Sequence, residues 1–304
     1  MAHKRPPISP IVISTALGPA GRGIFPYTLL PGYRRLIRAA KETRTTILTK
    51  SATRFKRAGN FIPWNPFTWK YIQRLPHGGM LNAYGLTNAG VEVCARQIKF
   101  SVDFGLQVIP NLYPEFAKGT EVAINETLEA LRIYEKVLGR HFWALELNYS
   151  CPNSQEEIRE NVAQGLRCAQ EVRQQFSALF LIVKVSVCHP YEFAQELERL
   201  GVNALHAVNT IPYDLVFPSP GHPPSPLRRV GGGGVSGGPA FPLAYSYNSD
   251  LRKKVGLFVI MGCGVRNLAD VQRYRDLGAD AVSICTLALR APEEARKVIL
   301  AYNG

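Results

Sequence analysis

Residues 146–153 read Glu-Leu-Asn-Tyr-Ser-Cys-Pro-Asn. Asn148 and Asn153 flank Cys151, and an apolar run over 142–147 leads into them. A strand that ends in amides and a thiol sets hydrogen-bond donors and acceptors beside a sulfur able to take a proton once its pKa is lowered. The plainer reading is a polar loop with Cys151 as buried filler, because free cysteines are usually buried and inert.

Other residues of the same kind fall at comparable places. Lys50 ends an apolar run, Lys184 interrupts another, Asn209-Thr210 close a third, and Asn82 lies in an irregular stretch. The set holds amides, lysines and a thiol, with no histidine and no carboxylate. Such a set suits a flat heterocycle rich in carbonyl and N–H groups, neutral to anionic. Lys184 would be costly on a buried strand without an anionic partner. The N1–C2=O region of a reduced flavin would supply one. The alternative is a lysine that carries its head out to solvent.

These residues need elements to hold them. Strands are expected over 11–17, 45–50, 106–109, 142–147, 179–185, 203–209, 257–261 and 280–284. Helices are expected over 33–40, 90–102, 121–138, 156–176, 192–200, from 239, 267–277 and 292–302. Alternation of this kind means a parallel sheet. Eight units in 304 residues point to an α/β fold, a single (β/α)8 TIM barrel over 1–304. It carries an irregular insert near the second strand and a Pro-rich loop, 211–230, after the sixth. In such a barrel the residues after the strands converge on one mouth. An open doubly wound sheet is the competitor, but no GxGxxG follows the first strand. Gly262 and Gly264 at the end of the seventh strand suit a phosphate held by backbone N–H groups. The glycine run 231–238 lacks the Lys-Ser/Thr of a P-loop and suits close backbone approach to a ligand.

The six cysteines are dispersed and form no CxxC pair, so neither a zinc site nor a cysteine-ligated iron–sulfur cluster is suggested. Such usage fits a reducing compartment, and no stretch reads as a membrane span or signal peptide, so a soluble cytoplasmic protein is expected. The net charge is +13, much of it between Arg34 and Arg57. That run is either a solvated face or an attraction for an anionic substrate or partner.

In order along nearly the whole chain, the motifs resemble those of the dihydroorotate dehydrogenase family. Thr49-Lys50-Ser51 resembles its T-K-[ST] strand end, and Asn82 to Gly90 its N-x-x-G-L-x-N-x-G. Glu146 to Asn153 resembles E-[LI]-N-x-S-C-P-N, with matching segments at 183–185, 208–210 and 233–239. The resemblance implies an FMN-dependent barrel that oxidises dihydroorotate to orotate in pyrimidine synthesis. It implies Cys151 as the base at C5 while a hydride passes from C6 to flavin N5. Lys50, Asn82, Gly85, Leu86, Asn148, Asn153, Asn209 and Thr210 would hold the substrate. Ser14, Thr15, Ala16, Lys50, Ser51, Asn148 and Lys184 would hold the flavin, with Gly237, Gly238, Cys263, Gly264, Cys285 and Thr286 on its ribityl-phosphate side.

A cysteine base resembles the soluble class, and the family resemblance favours a homodimer. Electrons would pass to fumarate at the same site, or to NAD through a separate electron-transfer subunit. Cys263 and Cys285 stand where the family turns are richer in glycine, and Tyr84 where a smaller or aliphatic residue is usual. The competing functions are reduction of another dihydropyrimidine or of uracil in tRNA, and a non-catalytic barrel that binds an anionic partner.

Overall fold

In the computed structural model, residues 6–149 and 158–304 are described. Cys151 and Asn153 therefore lie outside the described residues. The described residues form a closed ring of eight parallel strands: β1 Ile11–Ser14, β2 Thr46–Leu48, β3, β4 Ala144–Asn148, β5 Phe180–Val185, β6 Ala204–Ala207, β7 Phe258–Gly262 and β8 Ala281–Ile284. The third strand, β3, is split by Pro110. Its first part, Gln107–Ile109, pairs with β2 and its second, Asn111–Leu112, pairs with β4. Pro110 has no N–H to give, yet its carbonyl accepts from the Glu146 amide at 2.9 Å, so the ring closes across the proline.

Outside the ring run α1 Pro31–Glu42, α2 Val91–Asp103, α3 Thr120–Leu138, α4 Ile158–Gln175, α5 Tyr191–Arg199, α6 Phe241–Lys254, α7 Leu268–Asp276 and α8 Pro292–Asn303. Each follows the strand of the same number, as a right-handed β–α repeat requires. Their apolar stripes explain the packing. On α3, Ala123, Ile124, Leu128, Leu131, Tyr134 and Leu138 recur at three- and four-residue spacing and are all buried. They join the outward side chains of the strands, such as Ile13, Ile47, Leu147, Val183, Leu205, Met261 and Val282, in one large core between ring and helices.

The inward side chains alternate with these and form a second, separate core. Val12, Leu48, Ile109, Ala144, Ile182, Ala204, Ile260 and Ala281 fill one apolar layer inside the ring. Two residues further along each strand the chemistry changes to Ser14, Lys50, Asn111, Glu146, Lys184, His206, Gly262 and Ser283. A polar layer thus rests on an apolar one, on the side toward which the strands' C-terminal ends point.

A four-stranded antiparallel sheet is built from Ile72–Arg74, Met80–Asn82, Gly234–Ser236 and Ile211–Pro212. The insert near β2, expected to be irregular, contributes two short strands, and the Pro-rich loop 211–230 and the glycine run 231–238 contribute one each; they pair with one another, Asn82 opposite Gly234. Strands of two or three residues carry too little alternation to be read locally.

Part of the basic run has internal work. Arg35 pairs with Glu293, Arg54 with both Glu92 and Glu129, and Arg57 with Glu115. No helix among the described residues is long and apolar enough to cross a membrane.

Candidate active site

A cavity opens where the strands end, and the antiparallel sheet supplies one wall of it through Ile72, Met80, Asn82 and Ser236. Of the residues named from sequence, Ser14, Thr15, Lys50, Ser51, Asn82, Leu86, Asn148, Lys184, Asn209, Thr210, Cys263, Gly264, Cys285 and Thr286 all line it. Residues from seven of the eight strand ends and from the insert thus meet in one place.

Among the described residues, the other named ones are Ala16, Gly85, Gly237 and Gly238, which do not line it. The carbonyl of Ala16 accepts from the Tyr33 hydroxyl behind the first strand. Gly85 has a φ of +77°, and a side chain there would stand 2.7 Å from the Asn60 amide. Gly237 and Gly238 pack the antiparallel sheet tightly, since a Cβ at either would fall 2.3 Å from the Gly78 carbonyl or 2.1 Å from that of His77. Their glycine identity follows from chain packing.

Local bonds hold the lining in place. Asn148, at the tip of β4, donates from Nδ2 to Ser51 Oγ at 3.0 Å, tying β4 to the end of β2. The Lys50 ammonium lies 4.0 Å from the centre of the Tyr84 ring, within reach of a cation–π attraction. Tyr84 in turn packs on Phe61, and burial pushes its hydroxyl up to about 12. Asn82 donates to the Gly234 carbonyl at 3.3 Å, and Asn209 accepts from the Thr210 amide at 2.9 Å. At the other end of the cavity, Thr286 Oγ1 donates to Ser236 Oγ at 2.8 Å, and Thr15 Oγ1 lies 3.2 Å from Cys285 Sγ. Cys263 has a φ of +70°, the left-handed region that favours glycine. The turn therefore keeps a glycine-type backbone although it carries a side chain. Burial raises the Cys263 thiol to about 12, so it stays protonated and neutral.

The polar layer corrects two expectations. The first is that the set contains neither histidine nor carboxylate: His206 and Ser283 line the cavity, and Glu146 is fully buried directly behind them. Glu146 accepts from Asn111 Nδ2 and from His206 Nδ1, and His206 Nε2 lies 2.8 Å from Ser283 Oγ. The strand register places them, since Asn111 is opposite Glu146 and Lys184 is opposite both Asn148 and His206. The signal was present in the sequence, because Glu146 sits two residues before Asn148 and so shares its face.

The second correction concerns Lys184. It points into the ring, where its Nζ reaches Ser14 Oγ on β1 at 3.2 Å, and is 4% exposed. Its balancing charge is already in the protein. Burial alone would raise Glu146, but the field of Lys184 and the hydrogen bonds from His206 and Asn111 outweigh it and hold the carboxyl below its ordinary range. For His206, burial and then the Lys184 charge outweigh the pull of Glu146, so its pKa falls and the ring is neutral at pH 7. One anion and one cation thus share the buried layer without forming a direct ion pair.

A buried cation, a row of hydroxyls (Ser14, Thr15, Ser283, Thr286) and a group of amides with Lys50 suit a ligand with a conjugated ring, a polyhydroxyl arm and an anionic group. This donor set fits a flavin mononucleotide together with a small carboxylated ring.

Residues 33–300 match the family model described as dihydroorotate dehydrogenase. The chain is similar to proteins named dihydroorotate dehydrogenase B (NAD(+)), catalytic subunit. That of Oceanobacillus iheyensis is 28% identical over 258 residues, 81% of this chain and 76% of the relative. That of Halalkalibacterium halodurans is 31% identical over 225 residues, 71% of this chain and 68% of the relative. That of Thermotoga maritima is 27% identical over 264 residues, 84% of this chain and 87% of the relative. A match that runs through α1 to α8, together with a cavity at the strand ends where the shared motifs meet, leads to one conclusion: the chain belongs to the dihydroorotate dehydrogenase family.

Proposed function

We propose that this chain oxidises dihydroorotate to orotate with bound FMN, as the catalytic part of pyrimidine synthesis in the cytoplasm. The observation that carries the reading is the meeting of Lys50, Asn82, Asn148, Asn209 and Thr210 around one cavity. They supply a cation for a carboxylate and amides for the carbonyl and N–H edges of a pyrimidine ring. The named relatives act on the same substrate.

Bound FMN supplies the hydride acceptor. The chain's own residues do the rest. Cys151, three residues beyond the end of β4, takes the proton from C5; a base near the reacting carbon contributes about 10²–10⁴-fold. Asn148 and Asn153 flank it and hold the ring, with Asn82, Gly85, Leu86, Asn209 and Thr210 on the other edges. Amide donors at the ring carbonyl stabilise the enolate character that develops as the proton leaves. Lys184, Ser14, Thr15, Ser51 and Asn148 hold the flavin, and Cys263, Gly264, Cys285 and Thr286 its phosphate arm. The named relatives are catalytic subunits of an NAD(+) enzyme, which supports a separate electron-transfer subunit as the route out for electrons. A homodimer completes the assembly.

The test is spectroscopic. Purified protein is expected to be yellow, and dihydroorotate, but not dihydrouracil, is expected to bleach the flavin. Cys151→Ala should keep the flavin and lose that bleaching by about 10²-fold or more near pH 7. A colourless preparation that FMN cannot load sinks the enzyme reading, and unchanged bleaching in the variant removes Cys151 as the base.

A further inference from the structure

The chain Glu146–His206–Ser283 inside the ring has no part in the proton and hydride chemistry just described, yet its last member faces the ligand cavity. Its three side chains are 0%, 1% and 5% exposed, and each is held by the next. With His206 neutral, the hydrogen bonds of the chain have one direction. Ionised Glu146 can only accept. His206 is neutral and has one N–H, which must go to the carboxylate from Nδ1. Nε2 is then an acceptor, and the partner at 2.8 Å is the Ser283 hydroxyl, which donates its single proton to it. Ser283 is left with lone pairs only toward the cavity.

An ordinary serine hydroxyl rotates to give or to take. Here it cannot. Gly262 makes room for this placement, because a Cβ at 262 would fall 2.0 Å from Ser283 Oγ. Lys184 is the complement. Its ammonium only donates, one N–H goes to Ser14 on β1, and β1 is the strand paired with β8, Val12 opposite Ser283. The cavity lining thus offers a fixed acceptor, Ser283, and a donor, Lys184. A carbonyl or a phosphate oxygen cannot satisfy Ser283. An alcohol can, by giving it a proton.

We propose that Glu146 and His206 are positioning residues that set Ser283 as a dedicated acceptor for a hydroxyl of the ligand's polyol arm, which on the cofactor reading above is the ribityl chain of FMN. This rests on that reading, and the experiment separates the two.

Binding of FMN and of lumiflavin, which has the same ring system but no ribityl arm, is measured on wild-type apoprotein and on Ser283→Ala. The expected result is a five- to tenfold weaker Kd for FMN in the variant, the size of one neutral hydrogen bond, with lumiflavin unchanged. Equal Kd for FMN in both proteins, or equal weakening of both flavins, overturns the inference and leaves the cofactor reading standing. Failure of the wild-type chain to bind either flavin overturns the cofactor reading and the ligand assigned to Ser283 with it.

The positioning role has its own readout. Imidazole ¹⁵N spectra, with His206 assigned through His206→Asn, are expected to show Nδ1 protonated and Nε2 bare at pH 7. A protonated Nε2 on His206 overturns the arrangement whatever the flavin affinities are.

Discussion

The Ser283 hydroxyl fills the space that any side chain at Gly262 would need, since a Cβ built at 262 falls 2.0 Å from Ser283 Oγ and 3.0 Å from the Ser283 carbonyl oxygen. Gly262 is named in the sequence only for the turn that follows it, and Ser283 is not named there at all. Adjacent strands β7 and β8 pair Gly262 with Ser283 directly, so the small residue and the hydroxyl are two halves of one packing decision.

Gly262→Ala is therefore expected to lower stability by about 1–3 kcal/mol, the usual cost of forcing a methyl into a filled interior. Urea unfolding followed by circular dichroism measures it. Adding Ser283→Ala removes the closest contact and is expected to restore part of the loss, while the carbonyl contact keeps the rescue incomplete. Additive losses in the double variant would contradict the packing relation.

Lys184 and Glu146 face one layer of the ring and steady each other through their fields. Lys184→Met should cost about 2 kcal/mol, somewhat less than removal of one partner from a buried contact pair. It leaves the Glu146 carboxylate without its compensating charge. Lys184→Met combined with Glu146→Gln is expected to be more stable than the sum of the single losses predicts. Chemical unfolding of the four proteins at pH 7 gives the coupling, and a coupling of zero would dissolve the pairing.

Acid sensitivity should come in part from His189. Its Nδ1 accepts from the Ser186 amide at 3.0 Å, and burial lowers its pKa to about 4. The unfolded chain binds that proton near pH 6.5 and the folded chain only near 4, so the unfolded state holds more protons in between. Stability from this group is full above about pH 6.5 and falls as pH drops toward 4, by about 3 kcal/mol in all. His189→Asn should flatten that slope between pH 6.5 and 4 in unfolding measured at fixed temperature. A slope as steep as in the wild type would show that other groups govern it.

The barrel was legible because its signal is long: eight apolar runs alternate with helical stripes, and the ends of those runs carry most of the cavity lining. Lys50, Asn148, Lys184 and Asn209 could be named without coordinates, since each terminates or punctuates an apolar run. Glu146 and His206 were hidden for the same reason. A run such as Ala144–Asn148 is buried on both faces, so a carboxylate inside it reads as an interruption rather than as a member of an inward-facing row. The partner of Lys184 is likewise not legible, because sequence separation conceals that β4, β5 and β6 set residues 146, 184 and 206 within one layer. Asn88 shows the opposite case. It sits in the matching motif, yet its side chain is spent on Thr53, Leu86 and Gly90, holding the insert's own turn.

The antiparallel sheet over the cavity joins residues that are about 150 positions apart, and neither half has a complete set of strand partners without the other. In terms of how such enzymes diversify, the two loops form a single unit of inheritance. A graft of the segment around 72–82 from a relative would arrive with its backbone groups aimed at strands it has never met, and the same holds for 211–236. Only a graft that carries both segments would bring a working wall, so new ligand preferences in this part of the cavity would have to be acquired by paired exchange or by single side-chain changes such as those at Tyr84 and Asn82.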